Sequence, residues 1–168
     1  MLKMSDWAEF GGRLAGTLRD VGDRVFLVVF WQANRRMYVQ FAGGAHELLA
    51  QASGPEVVPS ADFSGMTEAG WAAPSVGIDP PNWSFSLPLP ASSDEYSALA
   101  ERCVVALRDA YGLPGPDGLV YKAWRDGELP PAGESWSAER TAARDRGENP
   151  LVLSGLGIPP APSSARTR

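Results

Sequence analysis

Apolar residues recur at three- and four-residue steps in the first part of the chain, from Trp7 to Val21. Ser5 or Asp6 can cap this segment, because a short polar side chain accepts a hydrogen bond from the first free backbone N–H groups of a helix. The pattern therefore predicts an amphipathic N-terminal helix, with its apolar face turned toward the rest of the protein.

An unbroken run of β-branched and aromatic residues follows, from Val25 to Trp31. The run is too short for a typical helix, so it predicts a strand that is buried on both faces at the centre of a sheet. A polar turn at residues 32–36 leads into 37–41, and Gly43-Gly44 leads into 46–52. These three runs predict an antiparallel meander.

Proline and glycine recur between residues 53 and 90, where the pattern supports only short elements. A short helix is predicted at 61–69 and a short strand at 83–87. The rest of this stretch is predicted to be an irregular connection.

Ser92 and Glu95 form the capping-box pattern that starts a helix, and an apolar stripe continues from there to Tyr111. Gly112 ends this second, long helix. Residues 119–124 predict a closing strand. The predicted class is α+β, an antiparallel sheet flanked by the N-terminal helix and the long second helix.

Composition and charge exclude several classes of partner. The 168 residues are 44% hydrophobic and 21% charged, with a net charge of −5, which predicts one compact domain without the basic face that nucleic acid requires. The start has no signal-peptide pattern, and no apolar run reaches the roughly 20 residues that span a bilayer. A cytoplasmic protein with neither a nucleic-acid nor a membrane partner is predicted.

The residues that carry chemistry do not combine into a catalytic site. His46 and Cys103 are the only histidine and the only cysteine, but Cys103 lies on the apolar stripe of the second helix and His46 opens a strand. One thiol makes neither an intrachain disulfide nor a thiolate zinc site, and the glycine pairs lack the residues of a phosphate loop. The prediction is a protein that is not an enzyme, with no cofactor and no metal.

Six tryptophans leave two interpretations open. Trp71 lies in Gly70-Trp71-Ala72-Ala73-Pro74, and Trp83 follows Pro81-Asn82, both on the irregular connection. Tryptophan is favoured in cores and also as an anchor in interfaces, so each could pack against the second helix or line a groove for a partner. The residues predicted to bind a partner are Trp31, Tyr38, Trp71, Trp83 and Phe85.

The order of these features resembles the TY-Chap family, small domains of actinobacteria grouped with type III secretion chaperones and YbjN-type proteins. The resemblance covers about residues 5–124. It rests on the N-terminal helix, the apolar strand followed by Tyr38-Val39-Gln40-Phe41, the Trp71 and Trp83 motifs, and the helix ending Leu107-Arg108-Asp109-Ala110-Tyr111-Gly112.

The resemblance implies a type III secretion chaperone-like fold that binds polypeptide, often as a homodimer, without catalysis or cofactor. The predicted function is a chaperone-like or adaptor module that holds a segment of a partner protein, by addition to a sheet edge or by contact in a groove. The alternative is an immunity or antitoxin-type protein that blocks one folded target.

The predicted domain organisation is a chaperone-like α+β domain at 1–124 and a linker with a Pro/Ala/Ser-rich, partly disordered C-terminal tail at 125–168. Within the tail, residues 137–146 predict a short charged helix. Residues 151–158 carry its apolar side chains, and our hypothesis is that they dock on the domain, in the groove that a client would use.

Overall fold

The computed structural model describes residues 6–75 and 81–162. The strands are β1 (Val25–Trp31), β2 (Asn34–Gly43), β3 (Glu47–Ala52), β4 (Trp83–Pro88) and β5 (Leu119–Arg125). The helices are α1 (Trp7–Leu18), α2 (Met66–Ala69), α3 (Ser93–Val104) and α4 (Ala138–Ala142). A π-helical segment, Val105–Ala110, continues α3, and a 3₁₀ turn spans Ser154–Leu156.

The strands form one antiparallel sheet in the order β4-β3-β2-β1-β5. β1, β2 and β3 are a meander, and β4 extends it on the β3 side. The chain then crosses through α3 to place β5 beside β1, on the opposite edge. The predicted α+β class is confirmed, with an antiparallel sheet and flanking helices.

Both long helices begin at the predicted caps. The Asp6 carboxylate accepts a hydrogen bond from the Glu9 N–H at 2.7 Å, which satisfies a free donor in the first turn of α1. At α3 the Ser92 hydroxyl accepts from the Glu95 N–H at 3.2 Å, and the Glu95 carboxylate accepts from the Ser92 N–H at 2.9 Å. This reciprocal pair is the predicted capping box.

Three predicted elements have different bounds in the structure. The helix predicted at 61–69 is confined to Met66–Ala69, where Gly70 adopts a positive φ of 110° and ends it. The helix predicted at 137–146 is confined to Ala138–Ala142. β2 begins at Asn34, so the tip of the β1–β2 hairpin is shorter than the predicted turn.

One face of the sheet forms one side of the hydrophobic core. Its side chains alternate with those of the other face along each strand, and α1 and α3 pack together above it. The buried strand residues on this face include Leu27, Val29, Val39, Phe41, Leu48 and Ala50. The helices contribute Phe10, Leu14, Leu18, Leu99, Cys103 and Leu107.

Two ionisable side chains in this core predict a loss of stability at alkaline pH. Burial raises the pKa of the Cys103 thiol, and burial also raises the pKa of the Tyr111 hydroxyl although Ser53 hydrogen-bonds to it. The unfolded chain therefore loses these protons first, above about pH 8.5 for Cys103 and about pH 10 for Tyr111. The free energy of unfolding should fall by about 1.4 kcal/mol per pH unit for each group that has begun to titrate.

Urea unfolding curves between about pH 8 and pH 10.5 measure this slope. The variant Cys103→Ala should postpone the decline until the tyrosine range, because it removes the group that titrates first. A free energy of unfolding that stays level across the interval would contradict the prediction.

The chain after β5 runs back along the outer edge of that strand. The N–H and carbonyl of Arg125 pair with those of Glu148 at 2.8 and 2.9 Å, and the Leu151 N–H donates to the Ala123 carbonyl at 2.8 Å. Further along, the Ala161 N–H donates to the Tyr121 carbonyl at 2.7 Å. We call residues 126–162 the C-terminal extension.

The C-terminal extension is held by apolar contacts and by ion pairs. Leu153, Leu156 and Ile158 are buried in the same core cluster as α1 and α3. The Asp145 carboxylate lies 2.7 Å from Nε of Arg125 and 3.0 Å from a terminal nitrogen of Arg24. Arg125 and the Gly147 N–H hold the pKa of Asp145 well below its usual range. The domain boundary at 124 and a partly disordered tail stay predictions, and residues 163–168 lie outside the described residues.

Candidate functional site

The second face of the sheet, which we call the open face, carries apolar side chains that remain partly exposed to solvent. The strand register places Trp124, Phe26, Ala42 and Leu49 side by side across β5, β1, β2 and β3. All four are half-buried. The rings of Phe26 and Trp124 stack, with centroids 5.3 Å apart and an angle of 16° between their planes. This row is an apolar strip that crosses four strands.

The next row on the open face is more polar. It contains Lys122, Val28, Gln40 and Gln51, again on β5, β1, β2 and β3. The Gln40 side-chain amide donates to the Gln51 carbonyl oxygen at 2.7 Å, so each glutamine fixes the orientation of the other. Amides next to an apolar strip can contact the backbone of a bound segment while apolar side chains fill the strip.

Two shallow depressions lie on the open face. One, of about 210 Å³, is lined mainly by Phe26, Val28, Leu49 and Trp124, with the two glutamines at its side. The other, of about 190 Å³, is lined by Val28, Phe30, Arg35, Lys122 and Trp124. Val28 and Trp124 belong to both, so the depressions form one continuous groove, which we call the open-face groove.

Three of the five predicted partner-binding residues lie close together on the helix-covered side of the sheet. Trp71 is 2% exposed, and its indole N–H donates to the Arg102 carbonyl at 3.0 Å. Trp83 is 7% exposed and stacks on Phe63. Phe85 is half-buried beneath the Arg102 guanidinium, 3.9 Å from the ring centroid. Arg102 thus joins Trp71 and Phe85, and Trp83 shares their side of β4.

The other two predicted residues lie apart from that group. Tyr38 is on the open face, where its hydroxyl lies 3.0 Å from the side-chain amide nitrogen of Asn82. Trp31 is at the end of β1, and its ring packs against Gly118, where no side chain would fit. The structure therefore brings Trp71, Trp83 and Phe85 together and leaves Tyr38 and Trp31 outside their group. A partner-binding role for all five stays a prediction.

Sequence reasoning missed the residues of the open-face groove. Val25–Trp31 is apolar at every position, so the run predicts burial on both faces, whereas Phe26 and Val28 are only partly buried. β1 is an interior strand, and the middle of the sheet is β2. Polar residues on the neighbouring strands could have revealed this face. Gln40 and Gln51 alternate with core residues there, which indicates that no apolar layer covers that face.

Both edges of the sheet are paired in part with other segments of the chain. On the β4 edge, Ser84 pairs with Ala72 through hydrogen bonds of 2.8 and 3.1 Å, and Pro88 has no N–H to donate. The β5 edge pairs with the C-terminal extension. An added strand would therefore compete with existing hydrogen bonds at both edges, whereas the open-face groove is accessible as it stands.

The two reactive side chains do not share a site. His46 is exposed in the turn before β3, and Cys103 is buried in α3, where its raised pKa disfavours the reactive thiolate. Across residues 6–75 and 81–162, no three His, Cys, Asp or Glu side chains are grouped to hold a metal ion. None of the helices described is both long and apolar enough to cross a membrane.

Comparison with known families matches most of the chain. Residues 3–125 match the family TY-Chap3, described as the T3SS (YopN, CesT) and YbjN peptide-binding chaperone 3. No curated protein and no solved structure matched the chain. The matched residues run from the start of α1 to the end of β5, and the C-terminal extension follows them. The chain therefore belongs to the TY-Chap3 family of peptide-binding chaperones.

Proposed function

We propose that this protein is a non-catalytic module that holds a segment of another protein in its open-face groove. One observation carries the proposal: the apolar row of Trp124, Phe26, Ala42 and Leu49 crosses four strands on the face opposite α1 and α3. An apolar strip of this kind, in a family described as peptide-binding chaperones, fits the apolar side chains of a polypeptide.

The groove favours recognition through side chains over addition of a strand. The β5 edge is already paired along much of its length and the β4 edge is paired at Ser84, so a client strand would have to displace hydrogen bonds at either edge. On the open face, a client side chain that covers the Phe26–Trp124 stack removes aromatic surface from water, which contributes roughly 25 cal/mol for each Å² buried. A segment with apolar residues at the spacing of a helix turn or of alternate strand positions can place several side chains along the row.

A library of random peptides displayed on phage tests this proposal with the full-length protein. Peptides selected by the wild type should bind the variants Trp124→Ala and Leu49→Gln at least about tenfold more weakly, because each variant removes apolar surface from the groove. Fluorescence anisotropy with labelled synthetic peptides measures the dissociation constants. Circular dichroism confirms that each variant is folded.

The matched control is Ala98→Glu, on the exposed side of α3, which changes the surface on the other side of the sheet. It should leave the affinities unchanged. Selected peptides that bind wild type, Trp124→Ala and Leu49→Gln equally would place the binding surface elsewhere. A protein that selects no peptide but captures a single folded target would instead match the behaviour of an immunity or antitoxin-type protein.

A further inference from the structure

One end of the open-face groove is cationic. Arg35 and Lys122 line the second depression together with Val28, Phe30 and Trp124. The Arg35 guanidinium lies 5.3 Å from the centroid of the Phe30 ring, which holds this charge against the apolar floor. The other end, at Ala42 and Leu49, is apolar and bordered by neutral glutamines. The groove therefore has one apolar end and one positively charged end.

Some basic side chains elsewhere in the molecule are paired with carboxylates. Arg24 and Arg125 pair with Asp145, and Arg140 pairs with Glu128. Among the residues that the structure describes, neither Arg35 nor Lys122 has a carboxylate within ion-pair distance. The chain as a whole carries a net charge of −5, yet this groove is lined by two positive charges.

Glu47, an acidic side chain of the open face, lies away from this end. Glu47 is on β3, beyond Leu49, and its carboxylate accepts a hydrogen bond from the Ser86 hydroxyl at 2.6 Å. Two strands, β2 and β1, separate β3 from β5 and Lys122. At a strand spacing of about 4.8 Å, the path from β3 to β5 is about 14 Å. An extended segment of about four or five residues covers that distance.

We propose that the groove selects an acidic amphipathic segment, with apolar side chains on the Leu49–Trp124 row and an aspartate or glutamate next to them, facing Arg35 and Lys122. This inference rests on the proposed function and adds the chemical class of the client. Exposed charges contribute more to the choice of partner and to the rate of association than to affinity. The effect of the two cations is therefore a preference among peptides, which weakens as salt screens the charges.

The same peptide library tests the preference. Peptides selected by the wild-type protein at low salt should be enriched in Asp and Glu beside aromatic or aliphatic residues. The double variant R35E/K122E should lose this enrichment and select Lys or Arg at those positions. For individual acidic peptides, the double variant should bind about tenfold more weakly at low ionic strength, and the difference should shrink toward 1 M salt, where the Debye length is about 3 Å.

The control is R13E/R108E, which reverses two exposed arginines on the helical side and makes the same change in net charge. It should keep the acidic enrichment. Two results would overturn this inference and leave the proposed function standing. In the first, the selected peptides depend on Trp124 but show no excess of acidic residues. In the second, they show such an excess, and the control variant loses it as much as R35E/K122E does. Peptides that do not depend on Trp124 would overturn both the inference and the proposed function. Sedimentation measures whether the protein is a dimer. If the wild type is a dimer that binds no peptide, and Trp124→Ala is a monomer, the open face is a homodimer interface, and both the proposed function and this inference are overturned.

Discussion

Replacing Leu156 with alanine is expected to destabilise the folded protein by about 2–5 kcal/mol, the usual cost of truncating a fully buried leucine. Leu156 is 0% exposed and lies in the core cluster beside α1, although it belongs to the C-terminal extension and not to the residues that match the family. The alanine leaves a cavity that the surrounding side chains fill only in part. Urea unfolding, followed by tryptophan fluorescence and by circular dichroism, measures the change.

Val152→Ala is the matched control four residues earlier. Val152 is 68% exposed, so its truncation should change the free energy of unfolding by no more than about 0.5 kcal/mol. Equal unfolding midpoints for Leu156→Ala and Val152→Ala would mean that the extension does not unfold with the core. A large effect at Leu156 alone would show that the extension completes the fold of this member of the family.

Trp71→Ala is expected to cost about 3–5 kcal/mol, comparable to or larger than the effect at Leu156. The ring is almost completely buried, and its N–H donates to the Arg102 carbonyl, so truncation both empties a large volume and removes a buried hydrogen bond. Thermal unfolding should therefore begin at a clearly lower temperature than in the wild type. A variant with a wild-type melting temperature would contradict the packing that the structure describes.

Trp124→Ala provides the comparison for the same change of residue on the open face. Its ring is half-buried and stacks on Phe26, so truncation should cost about 2 kcal/mol, less than at Trp71. The two tryptophans are thus expected to separate stability from binding: Trp71 affects unfolding, and Trp124 affects peptide affinity. Because Trp71→Ala destabilises the fold, part of the variant can be unfolded. A weaker peptide affinity of this variant must therefore be corrected for the unfolded fraction before it is compared with that of Trp124→Ala.

The sequence predicts the framework of this fold well, because its signals are local. The caps at Asp6 and Ser92 depend on a few adjacent residues, and the structure has both. The meander follows from three apolar runs separated by turn residues, and the structure has it with the expected antiparallel pairing. The family resemblance depends on the order of these same elements, which explains why it is confirmed over nearly the same residues.

The open-face groove could not be predicted from the same signals. Its residues come from strands that are distant in sequence, and only the sheet order brings Trp124 of β5 next to Phe26 of β1. Trp71 and Trp83 stand out in the sequence because they lie on a proline-rich connection, yet they fill the space between that connection and α3. Aromatic residues that stand out in a sequence can therefore pack an irregular segment against the core as readily as they bind a partner.

The surface on which the C-terminal residues dock also depends on contacts between residues that are distant in sequence. Residues 151–158 carry the apolar side chains that the sequence expects to dock, and Leu153, Leu156 and Ile158 are buried. They lie on the helical side of β5, whereas the open-face groove is lined by strand residues of the opposite face. The docked segment and the proposed client therefore occupy different surfaces.

The pairing at both edges of the sheet affects the behaviour of the protein at high concentration. Unpaired edge strands are templates on which further copies of a chain, or partly unfolded proteins, can stack into fibrils. Here Pro88 and the Ala72–Ser84 pair protect one edge, and the C-terminal extension protects the other. A segment bound in the proposed groove would lie on the open face and would not extend the protein's own sheet.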